Sequence, residues 1–183
     1  MTYPSFNSGE VLTASDMNAV GLWLVKTQTV GSAQTTIEVT GAFSSNYDNY
    51  RITYTGGTAS AAGGIRFRMG TGASVSNANY YNSVNYTLWA SGGPTAVQNN
   101  ASLGYWQYAG AIDSNSNAFM SIDVFEPYAA RSTRFFGAWL QVDSGGNTGG
   151  LHRVNTSYTG FTLTFDSGAN VSGGTIRVYG YRN

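Results

Sequence analysis

Two stretches, "NYYNSVNYTLW" (residues 79–89) and "LGYWQY" (103–108), set aromatic rings among amide side chains. Aromatic faces stack on the apolar faces of sugars, and Asn, Gln and Asp supply directional hydrogen bonds to hydroxyls. Tyr81, Tyr86, Trp89, Tyr105 and Trp106 are therefore the candidates for a glycan platform. The same rings serve equally as strand core or subunit interface, and the sequence leaves the choice open.

Catalytic chemistry finds less support. Glycoside hydrolysis needs two carboxylates roughly 5–9.5 Å apart. Asp123 and Glu126 lie three residues apart, which a regular strand places on opposite faces. Asp113, Asp143 and Asp166 each precede Ser and read as turn residues. A pair assembled from distant loops, such as Asp113 with Asp143, stays open. No Ser stands in a Gly-x-Ser-x-Gly elbow, and the one histidine, His152, reads as a loop-edge or strand-surface residue. The expectation is a protein that is not an enzyme and has no catalytic residues.

A single histidine excludes His-pair zinc sites, and the lack of cysteine excludes disulfide and thiolate chemistry. The "DSNSN" loop has calcium-type donors without EF-hand spacing, so no metal and no cofactor is assigned. Glycine pairs such as Gly63–Gly64 open no helix and read as turns, not phosphate loops. Nine basic and nine acidic residues leave no net charge, which argues against nucleic acid. The densest basic cluster, Arg66 with Arg68, reads as one strand face. No run of about 18 apolar residues exists, so no membrane insertion is expected. Without a recognisable secretion signal, the chain is expected to be made in a cytoplasm.

The elements that position these residues are nearly all strands. "NYRITYTG", "GIRFRMG", "FMSIDVFEPY", "GFTLTFDSG" and "GGTIRVYGYRN" alternate with period two. "RFFGAWLQV" reads as a strand aligning Phe136, Ala138, Leu140 and Val142 on its apolar face. Turn signals separate the runs, among them "ASGGPTAVQNNAS" and "DSGGNTGG". Nine or ten strands with unequal loops predict an all-β, antiparallel, jelly-roll-like β-sandwich. Charged residues make up only 10% of the chain, against about 25% ordinarily. A surface of Gly, Ser, Thr and Asn suits an assembled β protein partly covered by neighbours.

The start differs in kind. In "FNSGEVLTASDMNAV", Thr13 and Asp16 have the spacing of a weak capping box, and Leu12 and Met17 that of a hydrophobic staple. A helix of about seven residues ending near Gly21 is too short to stand alone in water and must dock on something. The division is therefore 1–30, an attachment segment with a short helix, and 31–183, the β-sandwich.

"FNSGEVLTASDMN" is similar to the opening of many tail-fibre and related virion proteins of tailed bacteriophages. "AFSSNYDNYRITYTGG…IRFRMG" resembles a phage phrase that enters a strand of a small β domain, and "GGTIRVYGYRN" resembles the last strand of such domains. Residues 75–160 carry no such likeness.

The resemblance implies a structural virion protein, a short tail fibre assembled as a homotrimer in the host cytoplasm and exposed on the particle surface. Its role would be host attachment through receptor binding, with a host-surface glycan as the ligand. Phe6, Val11, Leu12, Thr13, Asp16, Met17 and Val20 would dock on a tail, baseplate or other virion protein. No repetitive shaft separates anchor from tip, so a capsid or head decoration or collar protein without receptor role is the alternative. A polysaccharide depolymerase is a minor one.

Overall fold

The computed structural model describes residues 9, 21–90, 96–114 and 117–181. Residues 6, 11–13, 16, 17 and 20, and the expected N-terminal helix, lie outside them. Fourteen strands run through the described residues, more than the alternation alone marks: β1 (Leu22–Thr29), β2 (Thr36–Val39), β3 (Asn49–Thr55), β4 (Thr58–Ala59), β5 (Gly63–Met69), β6 (Tyr80–Leu88), β7 (Ala96–Leu103), β8 (Trp106–Ile112), β9 (Phe119–Phe125), β10 (Thr133–Leu140), β11 (Ser144–His152), β12 (Phe161–Phe165), β13 (Val171–Ser172) and β14 (Thr175–Tyr181). The protein is nearly all-β, and its paired strands run antiparallel.

Twelve of these strands form one hydrogen-bonded sheet that divides into two layers, and β4 pairs with β13 apart from it. One layer has the order β1-β14-β3-β9-β10-β11-β6-β7, the other β2-β12-β5-β8. A single bridge, Ala111 to Phe119, joins β8 to β9 and links the layers. Side chains from both meet in one core. Ile52 and Tyr54 of β3, Met120 and Ile122 of β9, and Ile176 and Val178 of β14 come from the first layer. Ile65, Phe67 and Met69 of β5 and Phe161, Leu163 and Phe165 of β12 come from the second. These are the residues that period-two alternation places inward. Phe67 stacks on Phe161 at 4.7 Å, and Trp106 of β8 stacks across the layers on Phe135 of β10 at 4.3 Å. Each buried aromatic removes 150–250 Å² or so from water, so these rings dominate the core.

Four expectations need correction. First, β1 pairs with β14 from Leu22↔Tyr181 to Thr29↔Thr175, so residues 22–29, expected in the attachment segment, form a strand of the sheet. Second, the "DSGGNTGG" and "ASGGPTAVQNNAS" stretches are not only turns, because β11 and β7 run through them. Glycine is needed in β11 because neighbours crowd the backbone. A Cβ on Gly150 would sit 2.6 Å from a ring carbon of Phe135, and one on Gly145 2.6 Å from the Trp89 indole.

Third, β10 faces the other way. Phe135, Gly137 and Trp139 point into the core, and Phe136, Ala138 and Leu140 point out. Both faces of "RFFGAWL" carry large apolar groups, so alternation cannot choose the inner one, and a one-residue shift of phase exchanges them. Gly137 decides it, since only a residue without Cβ fits against Ile122 of β9. Fourth, His152 is fully buried at the end of β11. Its ring stacks on Tyr80 at 4.1 Å, and Nε2 lies 2.9 Å from the Tyr158 hydroxyl.

Candidate functional site: an aromatic platform on the β10–β11 turn

Leu140 pairs with Gly145, and the Gln141 N–H donates to the Ser144 carbonyl at 2.8 Å, closing a tight turn over Gln141–Asp143. β6 ends beside it at Leu88↔Ser144, and the chain then places Trp89 over the turn. The Trp89 backbone N–H donates to the Asp143 carbonyl at 2.9 Å, and its indole N–H to the Gln141 carbonyl at 3.2 Å. The ring lies over Gly145 and against Leu140. An indole held at both its backbone and its ring nitrogen is a fixed plane, which lowers the entropy lost when a ligand stacks on it.

Trp89 is 53% exposed, Leu140 49% and Val142 62%. Beside them a hollow of about 200 Å³ is lined by Asn117, Phe119, Leu140, Gln141 and Val142. The exposed Trp89 plane can stack on a sugar ring, and the hollow, which Trp89 itself does not line, offers the Asn117 and Gln141 amides to hydroxyls.

The five sequence candidates do not converge on one pocket. Trp89 alone is strongly exposed. Tyr81 is half-buried, with the Arg153 guanidinium 5.3 Å from its ring centre. Tyr86 packs beneath the sheet on Trp139 at 5.8 Å. Tyr105 is half-buried on the opposite layer, with Arg66 4.4 Å and Arg68 5.7 Å from its ring. Trp106 is a correction: it is completely buried between Phe135, Tyr80 and Phe67, where no ligand reaches its face. Sequence reasoning missed Asn117, Phe119, Gln141, Leu140 and Val142. The signal for the last two was the second apolar phase of β10.

Three of the carboxylates considered for hydrolysis, Asp123, Asp166 and Glu126, are engaged in ion pairs. Asp123 accepts from Arg51 Nε at 2.9 Å and Nη2 at 2.8 Å, and from the Tyr181 hydroxyl at 2.5 Å. Burial alone would raise the Asp123 carboxyl, but the Arg51 and Tyr181 hydrogen bonds outweigh it and hold the pKa below the usual range. Tyr181, desolvated and facing that carboxylate, is pushed up to about 12. Asp166 pairs with Arg66, and Glu126 with Arg131 at 3.0 Å. Among the described residues no group of three or more His, Cys, Asp or Glu is placed to hold a metal ion, and no helix is long and apolar enough to cross a membrane.

No family model, no curated protein and no solved structure matches this chain.

Proposed function

We propose that this chain is a virion surface protein of a tailed bacteriophage, a short self-associating fibre that attaches to a host-surface glycan. The observation that carries the reading is the polarity of the β domain. The register aligns Leu22, Tyr181, Asn49 and Phe125 at one end, and Thr29, Thr175, Thr55 and Phe119 at the other. The segment before β1 therefore joins at the first end, while Trp89, Leu140 and Val142 sit at the second. Seven residues of strand, roughly 23 Å, separate the ends. An anchor at one end and an exposed aromatic plane at the opposite one is the layout a displayed binding domain needs.

Strand order supports a jelly roll. β1-β14-β3-β9 and β2-β12-β5-β8 follow the two four-stranded sheets of the eight-stranded form, with the hairpins β6–β7 and β10–β11 added to the first. The outer face of the first layer supports association between copies: Leu22, Leu24, Phe125 and Phe136 all point outward there. The second layer instead presents Thr36, Glu38, Arg66 and Arg68. These exposed apolar side chains are interspersed with Arg51, Asp123 and Arg134 on the same face, and on a chain of zero net charge they favour contact with like chains, with a homotrimer as the expected state.

Immunogold labelling of intact particles with antibody against the full chain tests the location. Gold on the tail or baseplate is the expected result. Gold over the head overturns the fibre reading in favour of a head decoration. Adsorption by particles carrying Trp89→Ala tests the glycan role, and unchanged adsorption overturns it.

A further inference from the structure

A second concave feature lies at the same end as Trp89. β1 and β2 are the edge strands of the two layers, and the loop joining them borders a cleft of about 310 Å³. Gln28, Thr29, Gln34, Thr36 and Glu38 supply its polar lining. The cleft sits four strand spacings from Leu140, about 19 Å across the end of the molecule.

The wall is held before any ligand arrives. Gln34 and Val171 exchange two backbone hydrogen bonds of 2.8 Å each. The Ala33 N–H donates to Ser172 Oγ at 2.9 Å, Gly173 N–H to the Gly31 carbonyl at 3.1 Å, and Val30 N–H to the Gly174 carbonyl at 3.0 Å. These bonds keep Ala33 at φ 51°, a left-handed conformation that residues with a Cβ rarely adopt. Strain of this kind persists only where surrounding bonds over-determine it.

The lining side chains are also tethered at one atom each. Gln28 Nε2 donates to the Glu38 carbonyl at 3.0 Å, Gln34 Nε2 to the Ser32 carbonyl at 2.9 Å, and Glu38 Oε1 accepts from the Gly72 N–H at 3.0 Å. Gln28 Oε1, Gln34 Oε1 and Glu38 Oε2 then have no partner among the described residues. With the Thr29 and Thr36 hydroxyls, they make an acceptor-rich lining. Among the described residues no Lys or Arg lines the cleft to hold an anion, and no aromatic ring lines it to stack a nucleobase. The volume is at the lower end for small-molecule sites. A compact neutral ligand carrying several O–H donors fits these terms.

We propose that this cleft is a saccharide subsite that takes one neutral sugar ring, with Gln28, Gln34 and Glu38 accepting hydrogen bonds from its hydroxyls. The proposal rests on reading this end as the glycan-facing end. It adds a contact that neither the aromatic platform nor the sequence candidates include.

The test is amide NMR on the ¹⁵N-labelled full chain, titrated separately with glucose, galactose, N-acetylglucosamine and glucuronate. At least one neutral sugar should produce saturable shifts at Gly31, Gln34 and Thr36. Glu38→Gln and Gln28→Ala should each weaken that binding about tenfold, the loss expected from one hydrogen bond to a well-placed acceptor. Both positions are at the surface, so a preserved spectrum elsewhere reports the fold. No saturable shift at these amides overturns the proposal. So does tighter binding of glucuronate, or binding indifferent to both substitutions. Particle labelling is read independently: gold on the tail with a silent cleft removes the subsite alone, and gold on the head with a responsive cleft removes the fibre reading alone.

Discussion

Replacing His152 by Gln should flatten the pH dependence of stability between pH 8 and 5.5. In the folded chain the imidazole is enclosed by Tyr80, Tyr158 and Trp106. Burial lowers its pKa, and the Asn79 carbonyl offsets this only in part. A base with a lowered folded pKa binds its proton more readily when unfolded. Stability is therefore full above the unfolded pKa, about 6.5, and is lost as pH falls below it towards the folded value. The limiting slope for one proton is about 1.4 kcal/mol per pH unit, so the loss from pH 8 to 5.5 is up to about 1.4 kcal/mol. With a urea m-value of about 2 kcal/mol/M, the midpoint should fall by about 0.7 M. Urea titrations of wild type and His152→Gln at pH 8, 7, 6 and 5.5 measure this. The variant loses the ring stack and will be less stable throughout, so the slope is the readout and not the absolute midpoint. An equal slope in both proteins would show that some other group carries the proton uptake and would refute the reasoning.

The two tryptophans once grouped together should separate. Trp106→Ala should cost about 3–5 kcal/mol by thermal or urea unfolding, the range for emptying a buried aromatic site. Trp89→Ala should cost less than about 1 kcal/mol, because its ring is half in water. Phe136→Asp should shift sedimentation towards monomer. The ring is 57% exposed, so association covers roughly 100 Å² of it, about 2.5 kcal/mol or on the order of 50-fold in the association constant. An unchanged sedimentation profile would place the contact elsewhere. Asp123→Asn should remove an acid-sensitive component of stability. The Asp123 pKa lies below its ordinary value of 3.8, so its contribution is present above that pH and lost as pH falls through the folded pKa. Urea midpoints between pH 5 and 3 report it.

Strands with one apolar face were legible in the sequence. β5 and β12 alternate bulky apolar residues with Arg or Thr, and the middles of β9 and β14 alternate them with Ser121 and Asp123 and with Arg177, so Ile65, Phe67, Met120, Leu163 and Val178 point inward as expected. Where both phases of a strand are apolar, or neither is, the pattern has no preferred solution and long-range contacts decide. β10 turned on Gly137 lying against Ile122. β11, rich in glycine, became a strand because β6 and β10 pair with it on both sides and rings cover its backbone.

The site follows the same division. Composition marked the aromatic stretches, but Trp89 and Trp106 sit in similar local sequence and differ only in what the folded chain brings over them. Trp106 meets Phe135, 29 residues later, from the opposing layer. Trp89 rests on a turn 52 residues later and keeps one face towards water. Which residues alternate is local information carried by the chain itself. Which alternating face is covered depends on partners distant in sequence, and only tertiary packing supplies them.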